Sequence, residues 1–264
     1  RIRALQEERF AEIMKIGWLN AFYRKRWSAA GLAPGDVRGL EDIHKLPTFT
    51  SEDVKDDQRD HPPFGHIAGV NYREELKRNP LKVHTSGGTT GKARPVLMGA
   101  ADWEVMALSI ARTLYVQGAR PGDVLQIPST CALTQFGWVF YKAAHDYLGI
   151  LPLTTGSGVV TPGRKQMEIA FDFGANIIAS FPEYLTSLAK VCRDELGRSP
   201  RELGLKFLPT YLGPDTDGSL RKQLEELFGC PVYDNYGCNE LAHMAFEGPD
   251  RDGLYVLEDL MYIE

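Results

Sequence analysis

The stretch Thr85-Ser86-Gly87-Gly88-Thr89-Thr90-Gly91-Lys92 sets three glycines, three threonines, a serine and a lysine between two apolar segments. Glycine lets successive backbone N–H groups turn toward one anion, the hydroxyls of Thr89 and Thr90 add donors, and Lys92 brings positive charge. The rival reading is the nucleotide-binding P-loop, Gly-x-x-x-x-Gly-Lys-Ser/Thr. Ser86 stands where its first glycine belongs, and Ala93 where its hydroxyl residue belongs. A P-loop also leads into a helix, whereas Arg94-Pro95-Val96-Leu97-Met98 reads as a strand, so this loop is expected to join strand to strand. A plain surface turn can have the same composition, so the loop alone decides nothing about ligands.

Working outward, the first 80 residues carry charged helical stretches interrupted by Ala33-Pro34-Gly35 and by a polar run from Ser51 to Asp60, then His61-Pro62-Pro63-Phe64-Gly65. They read as a helical lead-in, residues 1–80, packed on a core of residues 81–264. Beyond the loop, short apolar strands alternate with amphipathic helices, the pattern of an α/β domain with a largely parallel sheet. One helix is expected to open on Asp102 as its cap and to line up Trp103, Met106, Ala107, Ile110 and Leu114, followed by a strand from Asp123 to Ile127. A strand from Ala175 to Ala179 precedes a helix with Pro182 in its first turn and Leu185, Leu188, Ala189, Cys192 and Leu196 on one face. A strand from Leu205 to Leu208, a helix carrying Leu220, Leu224 and Leu227, and a strand around Val232 complete the pattern.

The 264 residues are 43% hydrophobic and 25% charged, the balance of a globular protein with a sizeable core. A net charge of −5 and the lack of a basic stripe argue against a nucleic-acid surface. Cys131, Cys192, Cys230 and Cys238 are scattered without a Cys-x-x-Cys pair, as reduced thiols are. No apolar run approaches the roughly 18 residues of a membrane span and the polar N-terminus is unlike a signal peptide, so a cytoplasmic location away from membranes is expected.

A second element gives the loop its context. The loop resembles the phosphate-binding signature of the adenylate-forming enzymes, and Tyr236-Gly237-Cys238-Asn239-Glu240 resembles their Tyr-Gly-x-Thr-Glu element, in the expected order. Within that superfamily the chain is most similar to the phenylacetate:coenzyme A ligase branch. Ala21-Phe22-Tyr23-Arg24, Leu46-Pro47-Thr48-Phe49-Thr50, the Pro63-Phe64-Gly65 turn and Gly253-Leu254-Tyr255-Val256-Leu257-Glu258-Asp259 extend the likeness along its length.

The resemblance implies the large N-terminal α/β domain of such an enzyme, with mostly parallel sheets flanked by helices. It implies activation of a small, aromatic carboxylic acid by ATP to an acyl-adenylate, then transfer to coenzyme A. Ser86, Gly87, Gly88, Thr89, Thr90, Gly91 and Lys92 would wrap the phosphates, and Tyr236, with Gly237 beside it, would lay its ring on the adenine. Glu240 would hold Mg²⁺, since a hard cation prefers carboxylate and phosphate oxygens. Lys92 and Glu240 are thus the catalytic candidates. Gly213-Pro214-Asp215 resembles the loop lining the adenine and acyl pocket, to which Phe136, Phe181 and Gly237 are added as walls. The remaining rings of the group Phe136, Trp138, Phe140 and Tyr141 fall at helical spacing and read as core.

Departures from the pattern carry their own expectations. Asn239 replaces the usual threonine near the α-phosphate. The family's ribose-binding aspartate, hinge and C-terminal domain with its catalytic lysine would lie beyond Glu264, so the chain reads as a fragment without a complete site. Relatives in the branch carry a Cys-His-Cys-His set suggestive of structural zinc. Here Cys238 and His243 match, but Gly248 and Tyr255 occupy the other places, and two ligands do not close a tetrahedral site. Zinc is therefore not expected, and the pair reads as a buried thiol and a histidine bonded to backbone. His84 reads as a packed residue, and the run Glu52 to Asp60 as a solvated face. Alternatives remain open: delivery of the acyl group to a carrier-protein thiol or an amine, or a non-catalytic relative that keeps only the fold. The oligomeric state, a homodimer included, is open as well.

Overall fold

The computed structural model describes residues 1–86 and 93–263, which fall into two compact units: Arg1–Ala100 with Leu257–Glu264, and Ala101–Val256. In the first unit, α1 (Ile2–Leu19) and α2 (Ala21–Ala29) meet at Asn20, whose side chain accepts from Phe22 N at 2.9 Å and caps α2. Phe10, Met14, Trp27, Val37 and Leu40 form the core of this unit, and Gly17 admits the Trp27 ring where a β-carbon would collide with it.

Helix α3 (Ser51–Asp60) starts on a capping box in which Thr50 and Asp53 satisfy each other's backbone N–H. The expectation of a wholly solvated face here is corrected at Asp57, whose side chain is only 10% exposed. Ile67 N donates to it at 2.9 Å, because the chain turns back over α3 after His61. A short α4 (Tyr72–Glu75) precedes β1 (Leu81–Thr85) and β2 (Pro95–Gly99), which pair antiparallel. The strand-loop-strand setting of the glycine stretch is therefore as expected.

The second unit is an α/β layer structure. Helix α5 (Ala100–Gln117) buries Met106, Ala107, Ile110 and Leu114 as the spacing requires. It begins two residues before the expected cap, so Asp102 lies inside the first turn, where its charge still suits the helix dipole. Strand β3 (Val124–Gln126) is central to a parallel trio with β4 (Leu151–Leu153) and β5 (Ile177–Ile178). Helix α6 (Phe136–Lys142) continues into a π-helical segment, Ala143–Leu148, and α7 (Gly163–Asp172) and α8 (Pro182–Leu196) follow.

A parallel bridge from Ile177 to Phe207 leads to β6 (Leu208–Thr210), which pairs parallel with β7 (Val232–Cys238). Helix α9 (Ser219–Phe228) joins these two strands. The ladder of β6 starts at Leu208, where the strand had been expected to end. Ahead of it, Lys206 N donates to Asn176 O at 2.8 Å and Phe207 bridges Ile177, so the segment runs beside β5 before it pairs with β7, while the Lys206 side chain donates to Asp123 at 2.8 Å. Strands β8 (Ala242–Glu247) and β9 (Leu254–Val256) extend the sheet antiparallel. Ile178, Leu185, Leu208, Leu224, Phe228 and Val232 pack α8 and α9 on this sheet, each buried side chain contributing about 1.5–3 kcal/mol. Among the described residues no helix is long and apolar enough to cross a membrane.

Candidate functional site

In the first unit, the glycine stretch is held at its base. Ser86 N donates to Arg94 O at 3.0 Å, and Arg94 N donates to Ser86 Oγ at 3.1 Å, one step beyond the Thr85–Pro95 pair that ends the ladder. Ser86 thus closes the neck of the hairpin. Gly87, Gly88, Thr89, Thr90, Gly91 and Lys92 lie outside the described residues. His84 is fully buried in β1, as a packed residue should be.

In the second unit, the other candidates gather where parallel strands end. In such sheets the carboxyl ends of the strands offer ligand sites, because loops and helix starts converge there. Phe181 follows β5 and caps the start of α8, Tyr211 follows β6, and Phe136 opens α6. Their ring centroids are 4.9 Å (Phe136–Phe181), 6.0 Å (Phe136–Tyr211) and 6.1 Å (Phe181–Tyr211) apart. Phe136 is buried and stacks on Phe140 at 4.5 Å, whereas Phe181 keeps an exposed edge. The two phenylalanines chosen from the sequence are brought together; Tyr211, which joins them, was missed.

Tyr236, Gly237 and Cys238 end β7, and Asn239 and Glu240 form the turn into β8. Tyr236 pairs with Ala245, but Gly237 pairs with His243, so Met244 is the extra residue of a β-bulge. A bulge bends and twists the strand and re-aims the side chains beside it. Glycine is required at 237, since a β-carbon there would overlap Ala242 O. Ala242 takes φ 63°, a left-handed conformation uncommon outside glycine. The tyrosine ring and the Glu240 side chain are both exposed, and Gln135 Nε2 donates to Cys238 O at 3.0 Å.

The loop after β6 is locked to β7. Asp234 Oδ1 accepts from Leu212 N at 2.8 Å and from Asn235 N at 2.8 Å, and Asn235 Nδ2 donates to Thr210 O at 2.8 Å. Burial raises the Asp234 carboxyl above its usual range. Gly213 turns with φ 66°. Asp215 spends its carboxylate on Leu220 N (3.1 Å) and Arg221 N (3.0 Å), at the start of α9. In Gly213-Pro214-Asp215 the aspartate carboxylate therefore shapes the loop at the start of α9.

Cys238 and His243 do not form the pair expected of them. Cys238 is exposed rather than a buried thiol. His243 is buried, and its ring meets hydroxyls, not backbone: Thr113 Oγ1 at 2.8 Å from Nε2 and Tyr211 OH at 3.3 Å from Nδ1. Hydroxyls donate or accept as needed, so they satisfy a neutral imidazole on both sides. Burial pushes His243 down to about 4, and burial likewise raises the Tyr211 phenol. Thr113 comes from α5, 130 residues away, with no motif to signal it.

No protein-family model matches the chain. A phenylacetate-coenzyme A ligase of Thermus thermophilus is 34% identical over 263 residues, covering 98% of this chain and 56% of the relative. That of Pseudomonas putida is 32% identical over 271 residues, covering 100% of this chain and 57% of the relative. Over the length it spans, the chain is related to the phenylacetate-coenzyme A ligase branch of the adenylate-forming enzymes. It spans a little over half the length of these relatives. A solved 2-hydroxyisobutyryl-CoA ligase, in complex with 2-HIB-AMP and CoA in its thioesterification state, superposes with a TM-score of 0.84 at 28% identity, covering 95% of this chain and 52% of that one. Its open conformation gives 0.83 at 26% identity, with coverage of 94% and 56%. The α/β large-domain fold expected from the sequence is the fold of this branch.

Proposed function

We propose that this chain is the ATP- and acid-binding part of an acid-thiol ligase that activates a small aromatic carboxylic acid to its acyl-adenylate and then forms the coenzyme A thioester. The observation that carries the reading is the cluster of Phe136, Phe181 and Tyr211 at the strand ends of the unit that presents Tyr236, Gly237 and Glu240. Three aromatic side chains in mutual contact, one with an exposed edge, suit a flat, apolar acyl group. The relatives named for phenylacetate and the solved ligase holding an acyl-AMP with CoA support the same chemistry.

In this reading, the substrate carboxylate oxygen attacks the α-phosphorus of ATP, the bond to the bridging oxygen breaks, and pyrophosphate leaves. The thiol then attacks the acyl carbon and AMP departs. No protein nucleophile is needed; the residues position reactants and stabilise charge. Lys92 and the amides of residues 86–92 hold the phosphates, and Tyr236 stacks on adenine. Gly237 and the backbone of Gly213-Pro214-Asp215 border the adenine and the acid, while Asn239 offers an amide to the α-phosphate where relatives have a hydroxyl. Glu240, an exposed carboxylate on a turn held by the bulged hairpin, fits a hard cation, and Mg²⁺ bound there would offset phosphate charge. The neutral His243 serves as a wall that holds the Tyr211 hydroxyl, not as a base.

The test is acid-dependent pyrophosphate release by the full-length protein across aryl, heteroaryl and short aliphatic acids, with Lys92→Ala beside it. Release is expected with an aryl acid and should fall on the order of 100- to 1,000-fold in the variant, the scale of losing one charge-stabilising donor. Turnover only with aliphatic acids would overturn the substrate class. Absence of ATP binding would overturn the reading itself.

A further inference from the structure

Outside the proposed ATP and acyl residues, the first unit holds the one group of three His, Cys, Asp or Glu side chains, among the described residues, whose donor atoms all lie within 4.8 Å of one another: Asp57, His61 and His66. We propose that these three side chains form a binding site for a divalent transition-metal ion of the zinc class, separate from the Mg²⁺ of the proposed ATP chemistry.

The geometry is suited to one ion. His61 Nδ1 lies 3.3 Å and His66 Nδ1 3.7 Å from the same carboxylate oxygen, Asp57 Oδ1. An ion bonded at about 2.0–2.2 Å to each donor in tetrahedral array sets donors a little over 3 Å apart, close to the two carboxylate distances, and the two rings, 31° from parallel, would turn to aim both nitrogens at it. The donor set is also selective: imidazole nitrogen suits zinc, nickel, copper and cobalt, whereas magnesium and calcium prefer all-oxygen shells.

The local fold builds the cluster in three steps. Asp57 and His61 are one helical turn apart at the end of α3, so both point to one face, and the helix's C-terminal end favours a cation. The chain then reverses through Pro62-Pro63-Phe64-Gly65, with Gly65 N donating to His61 O at 2.8 Å, and delivers His66 beside His61 with ring centroids 3.6 Å apart. Finally, Ile67 N donates to Asp57 Oδ2 at 2.9 Å, which fixes the carboxylate and leaves Oδ1 toward the two rings. A ligand oriented by an outer hydrogen bond is what metal sites use. Gly65 has φ 75°, and a β-carbon there would overlap Asp57 Oδ2, so the turn has room for this carboxylate only with glycine.

Access is open on the other side. His61 and His66 are about half exposed, 47% and 48%, and both line a cavity of about 470 Å³. Three protein ligands leave at least one coordination position, which water from that cavity would fill. The bland alternative is a pair of histidines that share a carboxylate as ordinary ion pairs, with no ion.

The experiment is titration of the EDTA-treated full chain with Zn²⁺ by calorimetry, repeated with Co²⁺, whose d–d absorption reports nitrogen and oxygen coordination. His61→Ala, His66→Ala, Asp57→Asn and Cys238→Ser are run beside it. The expected result is one equivalent of Zn²⁺, weakened about 10- to 100-fold or more in each of the first three variants and unchanged in Cys238→Ser. The histidines are half exposed, and Asp57→Asn keeps an oxygen for Ile67 N, so folding is preserved and melting curves confirm it. Failure of the wild-type chain to bind Zn²⁺ would overturn the site. So would binding that survives His61→Ala and His66→Ala but falls in Cys238→Ser.

Discussion

The surroundings of His243 and those of His61 and His66 make an instructive pair. The sequence drew attention to His243, which follows Cys238 and a recognisable motif, and passed over the other two, which flank Pro62-Pro63. The structure reverses the weight. His243 is sealed, with both ring nitrogens against hydroxyls and its basicity lowered by burial, so it has neither a lone pair nor a charge to offer. His61 and His66 face a fixed carboxylate and a cavity. A histidine's chemistry follows its partners and its exposure, not its nearness to a motif.

The largest test of this contrast is truncation. His243→Ala is expected to cost about 3–4 kcal/mol, because it opens a cavity and strands the Thr113 and Tyr211 hydroxyls, while His66→Ala should stay within about 0.5 kcal/mol; urea denaturation decides. Equal costs would dissolve the distinction.

Acid sharpens it further. Because folding lowers the His243 pKa from 6.5 to about 4, the unfolded chain binds the proton first as pH falls. The contribution is fully present above pH 6.5 and is lost progressively toward pH 4, about 3 kcal/mol in all. In His243→Gln this part of the pH dependence should vanish from the stability curve.

Two of the crowded glycines, Gly237 and Gly65, give a smaller pair of effects. Gly237→Ala should cost about 2 kcal/mol by forcing the bulged hairpin apart, and should weaken ATP more than zinc. Gly65→Ala, strained at φ 75°, should cost a similar amount but weaken zinc and spare ATP. Calorimetry with each ligand reads the crossover. The smallest effect is Tyr211→Phe, which keeps the ring and leaves His243 Nδ1 without its hydroxyl, at about 1 kcal/mol in melting experiments.

What could be read beforehand was what is local. The strand-loop-strand setting of the glycine stretch and the buried faces of α5 and α8 rest on spacing within a dozen residues, whereas Phe136 and Phe181 were picked out only by the family resemblance. Asp57 falls in a run that read only as a solvated face, and His61 and His66 join it through a chain reversal held by the Ile67 amide. Thr113 and His243 are partners across 130 residues, and no periodicity encodes such a meeting. Nor did the sequence signal that the Asp215 carboxylate is committed to the first amides of α9.

The bulge at Met244 has one more consequence. In a ladder of period two, one surplus residue acts as a phase shift: it lets the turn side of the hairpin and its base follow opposite parities. Removing Met244 would restore a regular ladder, yet it would exchange inside for outside on one arm, sending the imidazole of His243 toward solvent or Tyr236 toward the core. The irregularity is thus a setting, one residue wide, that allows a buried histidine and an exposed tyrosine to share a single short hairpin.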